Sequence, residues 1–417
     1  MANVKISQLP VVTSVASSDV LPVVASTTTS QLTMTSLANS MPQVSSSISA
    51  SFAISASWAP GAANVVLAVS SSGSSIYSTN PATSNFSTTN GIFFGSNAGL
   101  NATSADTSVF IGYRAGQNAT YANSSSFIGY AAGQNASDAN TSNFIGSQAG
   151  ANATFSYSSN FIGYKAGFDA SNAPNSNFIG QQAGDNANNA SDSNFIGYQA
   201  GLSASLANTS NFIGSQAGAN ATNANNSNFV GVEAGRNAIG ANNSNFIGNS
   251  AGYSAAAAER SNFIGLNTAY QATSASFSNF IGNGTGFGAV SASYSNLFGA
   301  SVGSATYGDG IGSNNIIIGT NITLENDRKD SINLGGIIFA TGSYSNLAVI
   351  SSGSMTEAKV GINKSLPAYT LDVSGSVGIA TVLHIAESNP LPAGNIGDLA
   401  VSASHLWFYN GAWAQLD

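Results

Sequence analysis

Two carboxylates held about 5 to 10 Å apart can cleave a glycosidic bond, so acids are the first residues to weigh for chemistry. Between residues 85 and 310 they are Asp106, Asp138, Asp169, Asp185, Asp192, Glu233, Glu259 and Asp309. Against the 17-residue period described below, they scatter over almost every phase. Asp106 and Glu259 alone share one, and they lie nine periods apart. Asp185 and Asp192 fall in one period and form the pair that could reach that separation; the competing reading is solvated surface. His384 and His405 are the chain's two histidines, too few for a convincing Ser-His-Asp arrangement, and each reads as a strand residue. The chain is therefore not expected to be an enzyme.

Metal and cofactor chemistry is also not expected. Calcium-binding rolls repeat Gly-Gly-x-Gly-x-Asp, and no acid recurs here. The absence of cysteine excludes thiolate ligands and disulfides. Triplets such as Asn101-Ala102-Thr103 and Asn118-Ala119-Thr120 fit the glycosylation pattern but are expected by chance in a chain this rich in Asn and Ser.

Stepping outward from single residues, a glycine recurs every 17 residues through thirteen copies, from Gly95 to Gly299, without insertion or deletion. The unit reads Ser-Asn-Phe-Ile-Gly-x-x-Ala-Gly-x-x-Ala-x-x-Ala, as at Ser193 to Gly197, then Ala200, Gly201, Ala204 and Ala207. Short identical units cannot each close a core and must bury their apolar positions against the next. Two glycines, an Asn-Ser cluster and a Phe-Ile pair per unit disfavour helix and suit a strand. The expected fold is all-β: a parallel β-solenoid of thirteen coils, stacked at about 4.8 Å into a rod of about 60 Å.

Neighbouring strand residues point to opposite faces, yet both members of the Phe-Ile pair stay apolar: Phe144 and Ile145, Phe161 and Ile162, Phe178 and Ile179, Phe195 and Ile196, Phe212 and Ile213. One column can fill the coil. The other needs an outside cover, because an apolar stripe along a whole rod exceeds what soluble monomers expose. A second copy of the rod is the economical cover, which points to a homotrimeric fibre; a bulge turning both side chains inward is the alternative. The Asn column from Asn143 to Asn296 is expected to form a stacked amide ladder. The position after the repeat glycine carries Tyr113, Tyr130, Tyr164 and Tyr198 and reads as an outward face, ordinary surface or a weak glycan site.

Only 6% of residues are charged, about a quarter of the usual share, and the net charge is −8. No basic stripe is present, so nucleic acid is excluded as a partner. No apolar run approaches the roughly 20 residues of a membrane helix, and the start has no secretory signal pattern, which implies folding in a cytoplasm.

Five segments follow. Residues 1–44 hold apolar runs broken by Pro10 and Pro22 and a more helix-compatible Ser30 to Met41, and read as a docking segment. Residues 45–84 are Ser/Ala-rich, a thin shaft or linker. The solenoid occupies 85–310. Residues 311–360 form a β transition in which the phase is lost and a charge cluster, Glu325 to Asp330, marks a turn. Residues 361–417 read as a β tip with strands expected near Tyr369 to Val373, Val377 to Ile385, Leu399 to Val401 and Leu406 to Tyr409.

The opening Lys5-Ile6-Ser7-Gln8-Leu9-Pro10 with Asp19 to Val24 resembles N-terminal segments of bacteriophage tail and head fibres. Val360 to Asn363 with Leu371 to Val377 resembles tail-fibre distal regions, and Gly397 to Trp413 resembles fibre C-termini. The repeat is similar to the shorter repeats of trimeric autotransporter adhesin heads, though without their secretion signal and anchor. The resemblance implies a virion fibre docked by its N-terminus to a tail or capsid protein and touching a host surface glycan or protein through the tip, where Trp407, Tyr409 and Trp413 are the receptor candidates; a small-domain core is the competing reading for at least two of the tip aromatics Trp407, Phe408, Tyr409 and Trp413. Rival readings are a polysaccharide-degrading tailspike, a fibre of a phage-derived contractile injection system, and an ice-binding solenoid, the last disfavoured because no Thr column runs through the units.

Overall fold

In the computed structural model the chain forms two compact units, Met1–Val65 and Val66–Asp417. The structure describes residues 20–25, 28–33, 67–69, 76–78, 90–304, 311–342, 358–380, 383, 385, 391–394 and 396–416. Among these no helix occurs.

The first unit contributes an antiparallel hairpin, Val20–Ala25 against Thr28–Thr33, with Val20 opposite Thr33. The start of the helix-compatible segment, Ser30 to Thr33, is thus a strand. Thr28, Thr29 and Thr33 are β-branched and favour extended backbone. The other residues of the docking segment lie outside the described ones.

The second unit is the expected parallel β-solenoid, of about fourteen turns. Each coil gives one three-residue strand, and strands pair in parallel at an offset of one repeat: Phe195 faces Phe178 on one side and Phe212 on the other. The ladder starts earlier than expected. Ile76–Ser78, inside the presumed linker, pairs in parallel with Ile92–Phe94 and antiparallel with Leu67–Val69. It also outlasts the 17-residue phase, since Asn296–Ala300 pairs in parallel with Ile316–Thr320, and that strand with Ser331–Leu334. Pairing is a backbone matter, so coils of 20 and 16 residues stack as well as coils of 17 once their connections absorb the difference. The charge cluster makes the expected turn between those strands, with Arg328 and Glu325 3.3 Å apart. Antiparallel pairing of Ile338–Thr341 with Ser331–Leu334 and with Lys359–Ile362 then ends the run of parallel coils, and Leu371–Val373 adds a final parallel strand.

The core is a column of phenylalanine surrounded by alanine. Phe195, Ala200, Ala204 and Ala207 are fully buried, as are their counterparts in the neighbouring coils. Consecutive rings from Phe110 to Phe263 stack 4.7 to 4.8 Å apart and within 9° of parallel. That spacing is the rise per coil. A buried serine finishes nearly every turn: Ser193 Oγ donates to the Ala207 carbonyl at 2.7 Å and accepts from the Ser210 N–H at 3.1 Å, so its hydroxyl is satisfied as both donor and acceptor.

Two glycines per coil are dictated by this packing. Gly197 sits at φ +137°, and a Cβ there would lie 2.5 Å from the carbonyl oxygen of Gly214 in the next coil. Gly201, at φ +63°, would drive a Cβ into the Phe195 ring. Four further residues of the same coil, Gln199, Ser203, Leu206 and Thr209, also adopt positive φ. A left-handed residue costs about 1–2 kcal/mol unless it is Gly, Asn or Asp. Asparagine is therefore frequent at these corners, as at Asn118, Asn135, Asn152 and Asn186, for a backbone reason the composition alone did not disclose.

Candidate functional site

The outward side of the Phe strand is the most extensive regular surface on the molecule. Within Asn194–Ile196 the phenylalanine turns in while Asn194 and Ile196 flank it on the solvent side. Ile145, Ile162, Ile179, Ile196 and Ile213 are each 37 to 40% exposed, whereas Phe144, Phe161, Phe178, Phe195 and Phe212 have no exposure. The bulge that would turn both inward does not form. Beside the isoleucines runs the expected amide ladder: Asn143 Nδ2 donates to Asn160 Oδ1 at 2.8 Å, and the pattern continues coil by coil to Asn296. Each amide spends one donor and one acceptor on its neighbours, which fixes the column's side chains and leaves the Ile row as a smooth, uncovered apolar stripe.

Past the repeat glycine, Tyr113, Tyr130, Tyr164 and Tyr198 are all exposed, as expected of an outward face. A further column escaped the sequence reading. Thr103, Thr120, Ser137, Thr154, Ser171, Ser205 and Thr222 meet in parallel single-residue bridges, interrupted by Asn188. A partial column of mixed Thr and Ser hydroxyls therefore exists, while no column of Thr alone runs through the units, as expected. It was hidden because the two residue types alternate and because Ile239 and Ala256 occupy the same column further on.

The acids do not converge. Asp185 is buried; its carboxylate accepts from Asn186 Nδ2 at 2.8 Å and Gln182 Nε2 at 3.3 Å, and burial pushes its pKa up against the lowering effects of Gln182 and Lys165. Asp192 is exposed and accepts from Asn175 Nδ2 at 3.0 Å. The two share no hydrogen-bond partner. Glu233 is taken up by Arg236 at 2.5 Å and Glu259 lies 3.6 Å from Arg260. Among the described residues no group of three His, Cys, Asp or Glu side chains could hold a metal. Asp309 and His384 lie outside the described residues, and His405 opens a strand, as expected.

At the C-terminal end a three-stranded antiparallel sheet joins Leu399–Ser402, His405–Tyr409 and Trp413–Gln415. Trp407 and Tyr409 are two apart in one strand and Trp413 stands opposite Tyr409, so all three receptor candidates share a face. Tyr409 and Trp413 meet edge to face with centroids 5.3 Å apart. Their polar ends are engaged: Trp407 Nε1 donates to the Ser402 carbonyl at 3.1 Å, and Trp413 Nε1 to the Pro392 carbonyl at 2.8 Å. Gly394 packs on the Tyr409 ring, so part of this face is covered by the chain itself. No family model, curated protein or solved structure matches the chain. Its surfaces must speak for themselves, and two do: the Ile stripe, which lacks a cover, and the aromatic face, which has half of one. The strand expected over Val377 to Ile385 does not form over its described residues Val377 to Ala380; Val377 and Ile379 are exposed, and no strand among the described residues pairs with them.

Proposed function

We propose that the protein is a structural virion fibre, of a phage tail or head, that projects from the particle as a homotrimer and mediates adhesion to the host cell surface. The observation that carries this reading is the Ile stripe. It continues for more than ten coils at one constant rise, with no charge in it, and exposed stripes of that extent call for an apolar partner. Another copy of the same rod meets it rung for rung at the same 4.7 Å spacing. Under this reading the N-terminal segment docks to a tail or capsid protein, and the face of Trp407, Tyr409 and Trp413 touches the receptor. Such aromatic clusters are the usual anchors of an interface.

Sedimentation or light scattering of the purified chain tests the assembly, with an expected mass of about three times 41.8 kDa. Exchanging Ile162, Ile179 and Ile196 for Asn should release folded monomers. A monodisperse wild-type monomer would remove the basis for the reading.

A further inference from the structure

The geometry points to a second binding site on the flank of the solenoid: two slots between tyrosines that each accept one sugar ring of an extended acidic polysaccharide. The site deepens the adhesion reading and rests on it. Tyr130, Tyr164 and Tyr198 stand on alternate coils of one straight row and are 52, 47 and 46% exposed. With 4.7 Å per coil, two coils place successive tyrosine positions 9.4 Å apart. Ser147 floors the first gap and Gln181 the second. Where tyrosines occupy adjacent coils, at Tyr113 and Tyr130, the rings stack along the rod axis at 5.4 Å and 20°, which closes the gap and shows a ring orientation that faces the neighbouring coil.

A layer of carbon in contact with a ring on both of its faces needs about 8 Å between those rings. A flat aromatic guest fills that distance, whereas the puckered chair of a pyranose is thicker and matches the wider slot. Its C–H faces suit aromatic walls, and its equatorial hydroxyls reach a floor of hydroxyl or amide.

Charge selects the kind of sugar. The array holds four cations, Arg114, Lys165, Arg236 and Arg260. Arg236 and Arg260 are paired with glutamates. Among the described residues Arg114 and Lys165 make no salt bridge; Arg114 lies over Tyr113, one coil outside the slots, whereas Lys165 reaches between the Phe168 ring, 4.8 Å away, and the Tyr164 centroid, 5.9 Å away. Lys165 acts on Asp185 through space, but the carboxylates of Asp185 and Asp169 take their hydrogen bonds from Gln182, Asn186 and Asn152, and neither is salt-bridged to Lys165. A cation at the wall that both slots share fits a uronate carboxylate. Linear repetition then lets one chain fill both slots, so affinity grows with length.

Calorimetric titration of the full chain with β-1,4-linked mannuronate oligomers tests this, with neutral mannose oligomers of equal length for comparison. The expected results are hexamer binding at least tenfold tighter than dimer binding, and a loss of at least tenfold in Tyr164→Ala, whose side chain walls both slots. Lys165→Gln should flatten the salt dependence, and neutral oligomers should bind more weakly. Absence of binding to the acidic hexamer, or equal binding by Tyr164→Ala, overturns the site; equal binding of neutral oligomers overturns its acidic class. A change of oligomer mass in Tyr164→Ala assigns the row to a protein interface and overturns the inference while leaving the fibre reading intact. A monomeric wild type that still binds does the reverse.

Discussion

The solenoid and the C-terminal sheet solve the same problem in opposite ways. In the array nearly every coil buries a Phe, two or three Ala and a Ser against matching neighbours, so stability accumulates through repeated interfaces and no single coil is special. The sheet buries little: Trp407, Phe408, Tyr409 and Trp413 are all only partly covered, and the arrangement depends on single bonds such as Trp413 to Pro392. A structure built on equivalence can lose units, whereas one built on unique contacts is where specificity can be written.

The largest expected effect comes from breaking that equivalence. Removal of Asn194 to Ser210, one full repeat, should shorten the rod by roughly 5 Å and leave its fold intact, because the Phe178 strand can pair with the Phe212 strand. Removal of eight residues puts polar side chains where the Phe column runs and should abolish protection over several coils. Electron microscopy of rod length and circular dichroism give the readout. Equal tolerance of the two deletions would erase the distinction between the regions.

A smaller effect sharpens it. Phe195→Ala removes a fully buried ring stacked on both faces and should destabilise the array by about 3–5 kcal/mol. Trp407→Ala, in a partly covered sheet, should cost about 0.5–3 kcal/mol. The chain has three tryptophans and two lie in the sheet, so tryptophan fluorescence follows that region while far-ultraviolet dichroism follows the array. Phe195→Ala is expected to shift the second transition and spare the first. Coincident shifts would mean that the two regions unfold as one.

Repetition also decides what the sequence discloses. The period, one inward and one outward apolar column, and the amide ladder of Asn143 to Asn296 were all legible, because thirteen copies of one environment average away the noise of any single residue; that the Phe is the inward member came from the structure. What escaped obeys backbone rules that side-chain type records poorly. The coils closing at Ile316 and Ser331 pair in register although their lengths are 20 and 16, and the left-handed corners accept Gln199, Ser203 and Leu206 as well as Asn. The sheet offers each residue once, so Trp413–Gln415 gave no pattern to read, and Val377 to Ala380 looked like a strand but has no partner strand among the described residues. The candidate face of Trp407, Tyr409 and Trp413 was named from composition; its sharing of one side followed only from the register.

Acid offers the mildest test of the array's uniformity, because a carboxylate inside it and one in the strand that ends its ladder, Leu371–Val373, respond with opposite sign. Asp372 is held below the usual 3.8, first by the Ala368 N–H at 2.7 Å and then by Lys364, whose Nζ lies 2.9 Å away. A carboxylate whose folded pKa is depressed binds fewer protons folded than unfolded; its contribution is present above 3.8 and is lost as pH falls through the lower folded value. Asp185, in the array, is raised above 3.8 by burial. It binds more protons folded than unfolded, so the array loses stability as pH rises from 3.8 through the raised value and regains it on acidification. Amide exchange at several pH values should therefore show coils around Asp185 gaining protection toward acid while residues 368–372 lose it. At neutral pH, Asp185→Asn should leave the array as stable or slightly more so, and Asp372→Asn should increase exchange at Ala368. Exchange that moves in the same direction at both sites would show that burial of Asp185 is relieved by opening of the coil, and that the array is less uniform than its sequence.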